Sequence, residues 1–152
     1  MINAVAPGLY ASGQPSPQDL AGLAVRGVRT VINLRTPDEP IEYDEPGEAK
    51  RLGLRYVAIP VAGPQDITAE TVAWFSRELE QAGRHGGTLV HCASSNRVGA
   101  LLALDRGLTR GASRKYAIAF GRAAGLTTLE PLVDSLLRPV SSQEGGARIE
   151  TS

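Results

Sequence analysis

The chain has 152 residues, of which 42% are hydrophobic and 21% charged, long enough to bury the core of one domain. Sixteen Lys and Arg balance sixteen Asp and Glu, which excludes bulk attraction to nucleic acid or to an anionic membrane. One Cys excludes an intrachain disulfide framework and suits a reducing compartment, and two His, His85 and His91, are too few and too badly spaced for a zinc site.

Met1–Pro7 lacks the basic start and long apolar stretch of a secretory signal, and no apolar run is long enough to span a bilayer. The expectation is a cytoplasmic chain without membrane insertion. Leu9-Tyr10-Ala11 reads as a short strand, and Ser12-Gly13-Gln14-Pro15 as turn residues. Ser16 then caps a helix that has Pro17 at its first position and Asp19 at its third, with Leu20, Leu23 and Ala24 on the apolar face and Gly27 at the end.

Val28–Leu34 is β-branched and apolar, a central strand. Arg35 at its end faces either a ligand or one of the acids Asp38, Glu39 and Glu42. Pro37, Pro40 and Pro46 make the next connection irregular, and a helix around Glu48–Leu52 closes at Gly53. Leu54–Val61 reads as a third main strand, followed by the loop Ala62-Gly63-Pro64-Gln65-Asp66. Thr68 caps a helix whose Val72, Phe75, Leu79 and Ala82 face the core, with Trp74 off that line.

After the Gly86-Gly87 turn, Leu89 and Val90 carry His91 and Cys92 to a strand end. A tight polar loop, Ala93-Ser94-Ser95-Asn96, leads to a helix starting near Arg97. A strand, an anion-sized loop and a helix start aim backbone N–H groups and the positive helix end at one point. A thiolate is the reactive form of cysteine, and amide dipoles, a helix N-terminus and a guanidinium all favour it. Arg97 can also hold two oxygens of one oxyanion with its planar fork. His91 is placed to orient the loop.

The helix after the loop carries Val98, Leu101, Leu102, Leu104 and Leu108 and is apolar nearly all round, so it is buried. Ser113–Ala124 reads as an amphipathic helix through Tyr116, Ile118, Ala119 and Ala123, and Leu129–Leu137 as another helix. Arg122 on the first of these lies either on a solvated face or within reach of a substrate anion. Residues 139–152 form a polar tail expected to be disordered, leaving residues 1–138 as the folded domain. Strands alternating with helices imply an α/β three-layer sandwich with a mainly parallel central sheet.

The stretch around Cys92 resembles the signature loop of the cysteine-dependent phosphatases, with the difference that four residues, not five, separate Cys92 from Arg97. Four is also the spacing in many rhodanese-type sulfurtransferases. Over residues 8–137 the chain most resembles the dual-specificity branch and, within it, the bacterial DUF442 group, the phosphatase-like domain of beta-lactamase hydrolase-like proteins. The resemblance implies the cysteine-phosphatase fold and hydrolysis of a phosphate monoester, on a protein or a small molecule, through a phosphocysteine on Cys92. It implies that Ala93, Ser94, Ser95, Asn96 and Arg97 bind the phosphate and that no metal or cofactor takes part. It places the general acid on the loop after the third main strand, where Asp66 is the only acid.

Val98 stands where such phosphatases carry Ser or Thr. Two other readings stay open at this point: a sulfurtransferase carrying a persulfide on Cys92, and an oxyanion-binding module without catalysis.

Overall fold

The computed structural model describes residues 2–139, and the expected polar tail lies almost wholly outside them. Five strands form one sheet in the order β1-β2-β5-β3-β4. They are β1 (Ile2–Ala6), β2 (Leu9–Ser12), β3 (Val28–Asn33), β4 (Arg55–Ala58) and β5 (Gly87–His91). Only β1 runs antiparallel, paired with β2 at the edge; the other three ladders are parallel. The sandwich and its mainly parallel sheet therefore match the expectation, while β1 adds a strand and β4 is shorter than the 54–61 run suggested. The chain stays extended past β4, where Ile59 and Val61 donate to Asn33 and Leu34 carbonyls at 2.9 Å.

Helices α1 (Pro17–Val25) and α2 (Glu45–Arg51) cover one face of the sheet. The capping box forms as the sequence implies: Ser16 Oγ accepts from Asp19 N at 3.0 Å, and Asp19 Oδ2 accepts from Ser16 N at 2.9 Å. Helix α2 starts earlier than expected because Asp44 caps it, accepting from Gly47 N, and Pro46 falls in its first turn where a missing N–H costs nothing. Leu20 and Leu23 pack there with Val31, Ala49 and Leu89.

The opposite face carries the larger core, built by α3 (Ala69–Gly83), α4 (Asn96–Leu104), α5 (Arg114–Ala123) and α6 (Glu130–Leu137). Val72, Phe75, Leu79 and Ala82 of α3 are buried as the spacing predicts, and Trp74 remains 37% exposed. Every residue of α4 from Val98 to Leu104 is buried. The helix does not run on to Leu108, which is 53% exposed. It opens at Asp105 into a π-helical turn over Asp105–Thr109. Buried Asp105 accepts from Ser76 Oγ of α3 and from Arg110 Nε, both at 2.7 Å, so the turn is fastened at both ends. In α5 the buried stripe is Ala117, Ile118 and Gly121, and Tyr116 is 56% exposed. The apolar face assigned through Tyr116, Ala119 and Ala123 is thus corrected: only Ile118 of that set is buried, because α5 turns its small residues toward α4.

That close approach is set by two glycines. A Cβ on Gly99 of α4 would lie 2.3 Å from Leu126 N and 2.7 Å from Gly121 O; one on Gly121 would lie 2.8 Å from Gly99 O. Gly99→Ala therefore has no flexible neighbour to displace, and we expect a loss of about 1–3 kcal/mol. Gly22→Ala, in exposed helix α1 with nothing near the added methyl, is expected to gain about 0.5–1 kcal/mol. Paired thermal melts check both signs.

Candidate active site

The parallel register brings Ser12, His91, Asn33 and Ala58 side by side at one edge of the sheet. All four strands end there, so the loops that follow them form one cluster beyond the carboxyl ends. Cys92 begins one of these loops. It is fully buried, and its N–H donates to Ser12 O at 3.3 Å. Among the described residues, nothing accepts from the backbone N–H groups of Ala93, Ser94, Ser95, Asn96, Arg97 or Val98. Helix α4 makes its first bond only at Gly99 N, to Ser95 O at 2.9 Å. A run of free amide donors followed by a helix start is an arrangement that can hold an anion.

The short loop is closed by Ser95, the only described non-glycine residue with positive φ, at 72°. Such a conformation costs free energy and persists only when its surroundings hold it. Here Ser95 Oγ donates to Ala124 O at 2.5 Å, and Gly125, itself at φ +115°, leaves room that a Cβ would fill 2.6 Å from Ser95 Cβ. Asn96 Oδ1 accepts from Thr127 N at 2.8 Å and Asn96 Nδ2 donates to Thr128 Oγ1 at 2.7 Å. On the other side, Gly13 lets the backbone pass Ala93 O, which an added Cβ would approach to 2.6 Å.

Arg97 is aimed by a carboxylate the sequence did not single out as part of the site. Its Nη1 and Nη2 donate to the two oxygens of Glu39 at 2.7 and 2.9 Å, and Nη1 also donates to Val61 O at 2.8 Å. Among the described residues no acceptor is bonded to its Nε. The Arg97 pKa is raised, first by these hydrogen bonds to Glu39 and, against the opposing effect of burial, by Cys92 beside it. The same pairing lowers Glu39 to about 2.

Glu39 also accepts from Arg35 Nε at 3.3 Å, so Arg35 takes its acid partner; it donates further to Pro40 O at 2.6 Å and to Gln14 Oε1. Gln14 Nε2 donates to Glu45 at 2.9 Å, and the other Glu45 oxygen meets His91 Nε2 at 2.5 Å with both residues buried. A chain of polar contacts thus runs from His91, next to Cys92, through Glu45, Gln14, Arg35 and Glu39 to Arg97. His91, expected to orient the loop, is held by Glu45 at the strand end just before Cys92. Gln14, expected to be a plain turn residue, is the link between the two halves.

Two further positions take other partners. Asp66 lies in a 3-10 turn over Pro64–Asp66, and its carboxylate accepts from Ala62 N at 2.7 Å, one residue beyond the Val61 carbonyl that Arg97 holds. Arg122 is exposed and forks Glu130 at 2.6 and 2.7 Å, which is the solvated-face alternative for this residue. Among the described residues no group of His, Cys, Asp and Glu is placed to hold a metal ion, and no helix is long and apolar enough to cross a membrane.

Residues 2–109 match the family described as beta-lactamase hydrolase-like protein, phosphatase-like domain. The chain belongs to that family. It is 36% identical over 121 residues to the beta-lactamase hydrolase-like protein of Xylella fastidiosa (strain Temecula1), a match covering 77% of this chain and 27% of that protein. The chain thus spans about a quarter of the length of the curated relative it matches. Among solved structures, a putative phosphatase (DUF442) from Shewanella putrefaciens CN-32 is similar with a TM-score of 0.69 and 27% identity, covering 95% of this chain and 90% of that one. Pseudomonas aeruginosa TpbA in complex with pTyr shares the fold, with a TM-score of 0.70 and 23% identity over 94% of this chain and 86% of that one. The expected recognition and the cysteine-phosphatase fold agree with these findings. The buttress Ala124–Leu129 falls outside the matched segment.

The Glu39–Arg97 pair has a pH signature. A carboxylate held below its ordinary 4.5 contributes stability that is fully present above that value and is lost as pH falls toward about 2. Thermal melts of the protein and of Glu39→Gln should therefore differ most above pH ~5 and converge as the pH falls toward 2. A difference independent of pH would mean that the pair adds no stability of its own.

Proposed function

We propose that this domain is a cysteine-dependent phosphatase that hydrolyses phosphate monoesters through a phosphocysteine. The observation that carries this reading is the run of free amides from Ala93 to Val98 beside Cys92 and the positioned Arg97. Cys92 Sγ attacks phosphorus as the ester oxygen leaves. The amides and the free edge of Arg97 hold the non-bridging oxygens, where charge builds in the transition state. Water then attacks phosphorus, phosphate departs, and the thiolate is restored.

Asp66 is the proposed proton donor to the leaving oxygen. Because its carboxylate accepts from Ala62 N, donation requires the 62–66 turn to open. Val98 is fully buried in the core and supplies no hydroxyl beside the sulfur, so the second step is the slow one in this reading. The family match and the phosphatase neighbours support hydrolysis over sulfur transfer.

Phosphate release from p-nitrophenyl phosphate across pH 5–8 tests the reading. Cys92→Ser should abolish turnover, and Arg97→Lys should lower it by roughly 10²–10³-fold, because a point charge replaces a fork. Asp66→Asn should cost more with an alkyl than with an aryl phosphate, since only the poorer leaving group needs its proton. Stopped-flow traces should show a burst bounded by the Cys92 content, and Val98→Thr should shrink it. Thiocyanate formation from thiosulfate and cyanide without phosphate release would move the protein to sulfur transfer.

A further inference from the structure

Two hollows adjoin at the site and share Thr36 and Glu39 as their common wall. One, of about 700 Å³, is open and holds Arg97 with Asp38 and the short residues Ala62 and Gly63. The other, of about 420 Å³, is lined by Tyr43, Tyr56 and Ile41 and carries Asp44 and Glu45. The two hollows are lined by Asp38, Glu39, Asp44 and Glu45 and by two guanidinium groups; Glu39 is paired with both of these, Glu45 is buried, and Asp38 and Asp44 are exposed.

Neither guanidinium is spare. Arg97 faces the phosphate, and Arg35 is 9% exposed with Glu39, Gln14 and the Pro40 carbonyl already bound to it. A second anionic group on the substrate would meet carboxylates and no free cation. A cation would meet Asp38, which is exposed at the rim, and two tyrosine rings. The acidity of both phenols reports the same field: burial first, and then the charge of Glu45, push Tyr43 and Tyr56 upward. Binding a dianionic phosphate makes the surroundings more negative still.

We propose that Asp38 is a specificity-determining residue, selecting monoesters with a positive charge next to a single phosphate and rejecting those with a second anionic group. This rests on the phosphatase reading above and narrows its substrate. Asp38 suits the role because its carboxylate is held in place by Thr36 Oγ1 at 2.5 Å while the side chain stays in contact with solvent. Among the described residues no cation pairs with it in the way Arg97 pairs with Glu39.

The test uses two phosphotyrosine peptides that differ only in having Arg or Glu on both sides of the phosphorylated residue. Their kcat/KM values are compared at 50 mM and 500 mM NaCl, with p-nitrophenyl phosphate as the reference that carries no charge besides its phosphate. The Arg peptide should be favoured by about fivefold or more at low salt, with the ratio shrinking at high salt. Asp38→Lys should erase or reverse that ratio.

Equal rates for the two peptides, or a preference for the Glu peptide, overturn the proposal. So does an Asp38→Lys variant that slows every substrate alike, which would make Asp38 part of the chemistry rather than of selection. Calorimetric titration of both peptides into Cys92→Ser reads the same preference without turnover. Failure of the phosphatase reading, seen with p-nitrophenyl phosphate, is therefore separable from failure of this one. Comparing phosphorylethanolamine with glycerol phosphate shows whether a small ammonium ester obeys the same rule as a basic peptide.

Discussion

The Glu39 carboxylate is the constraint on which the site depends. It binds both terminal nitrogens of Arg97 and also meets Arg35, so one acid fixes two guanidinium groups. A guanidinium left to itself keeps many rotamers, and aiming it at a ligand means giving them up at the moment of binding. Here that ordering is done in the folded protein. The fork also decides which edge of Arg97 remains for an anion, because Nη1 is doubly engaged by Glu39 and Val61.

From Glu39 the polar chain continues through Arg35 and Gln14 to Glu45 and His91, and so back to the residue before Cys92. Buried polar groups of this kind are costly when half satisfied and rigid when their partners are present. The chain crosses three loops that come from different strand ends. It therefore does for the side chains what the parallel register does for the backbone: it makes the relative position of Cys92 and Arg97 a property of the whole sheet edge.

What the sequence disclosed is what is local. Cys92, the four residues after it and Arg97 are contiguous, and their chemistry follows from their order along a strand–loop–helix junction. The caps at Ser16 and Thr68 are equally local, and both formed. The contacts of Glu39 with Arg97, Glu45 with His91 and Gln14 with Glu45 were hidden because the partners lie 31 to 58 residues apart, and a lone Glu in a Pro-rich loop has no periodicity to betray it. Tyr116 misled because alanines score as apolar on both faces of α5, so only the packing against Gly99 and Ala103 decides which face is buried. The start of α2 was hidden by Pro46, read as an interruption although the first turn is where proline fits a helix.

The loop itself runs against the usual economy of folded proteins. Six consecutive amide donors without protein acceptors, one of their residues in a left-handed conformation, would relax if the loop were free to do so. It is held by Gly13 on one side and by the Ala124–Leu129 segment on the other. That segment exists because α5 can approach α4 closely enough to turn under it, which the Gly99–Gly121 contact permits. Helices α5 and α6 thus support the candidate site, although they lie beyond the matched segment. The loop's unmet hydrogen-bonding capacity is held in place by the packing of the second core, and the oxyanion of the proposed function is a partner that would meet it.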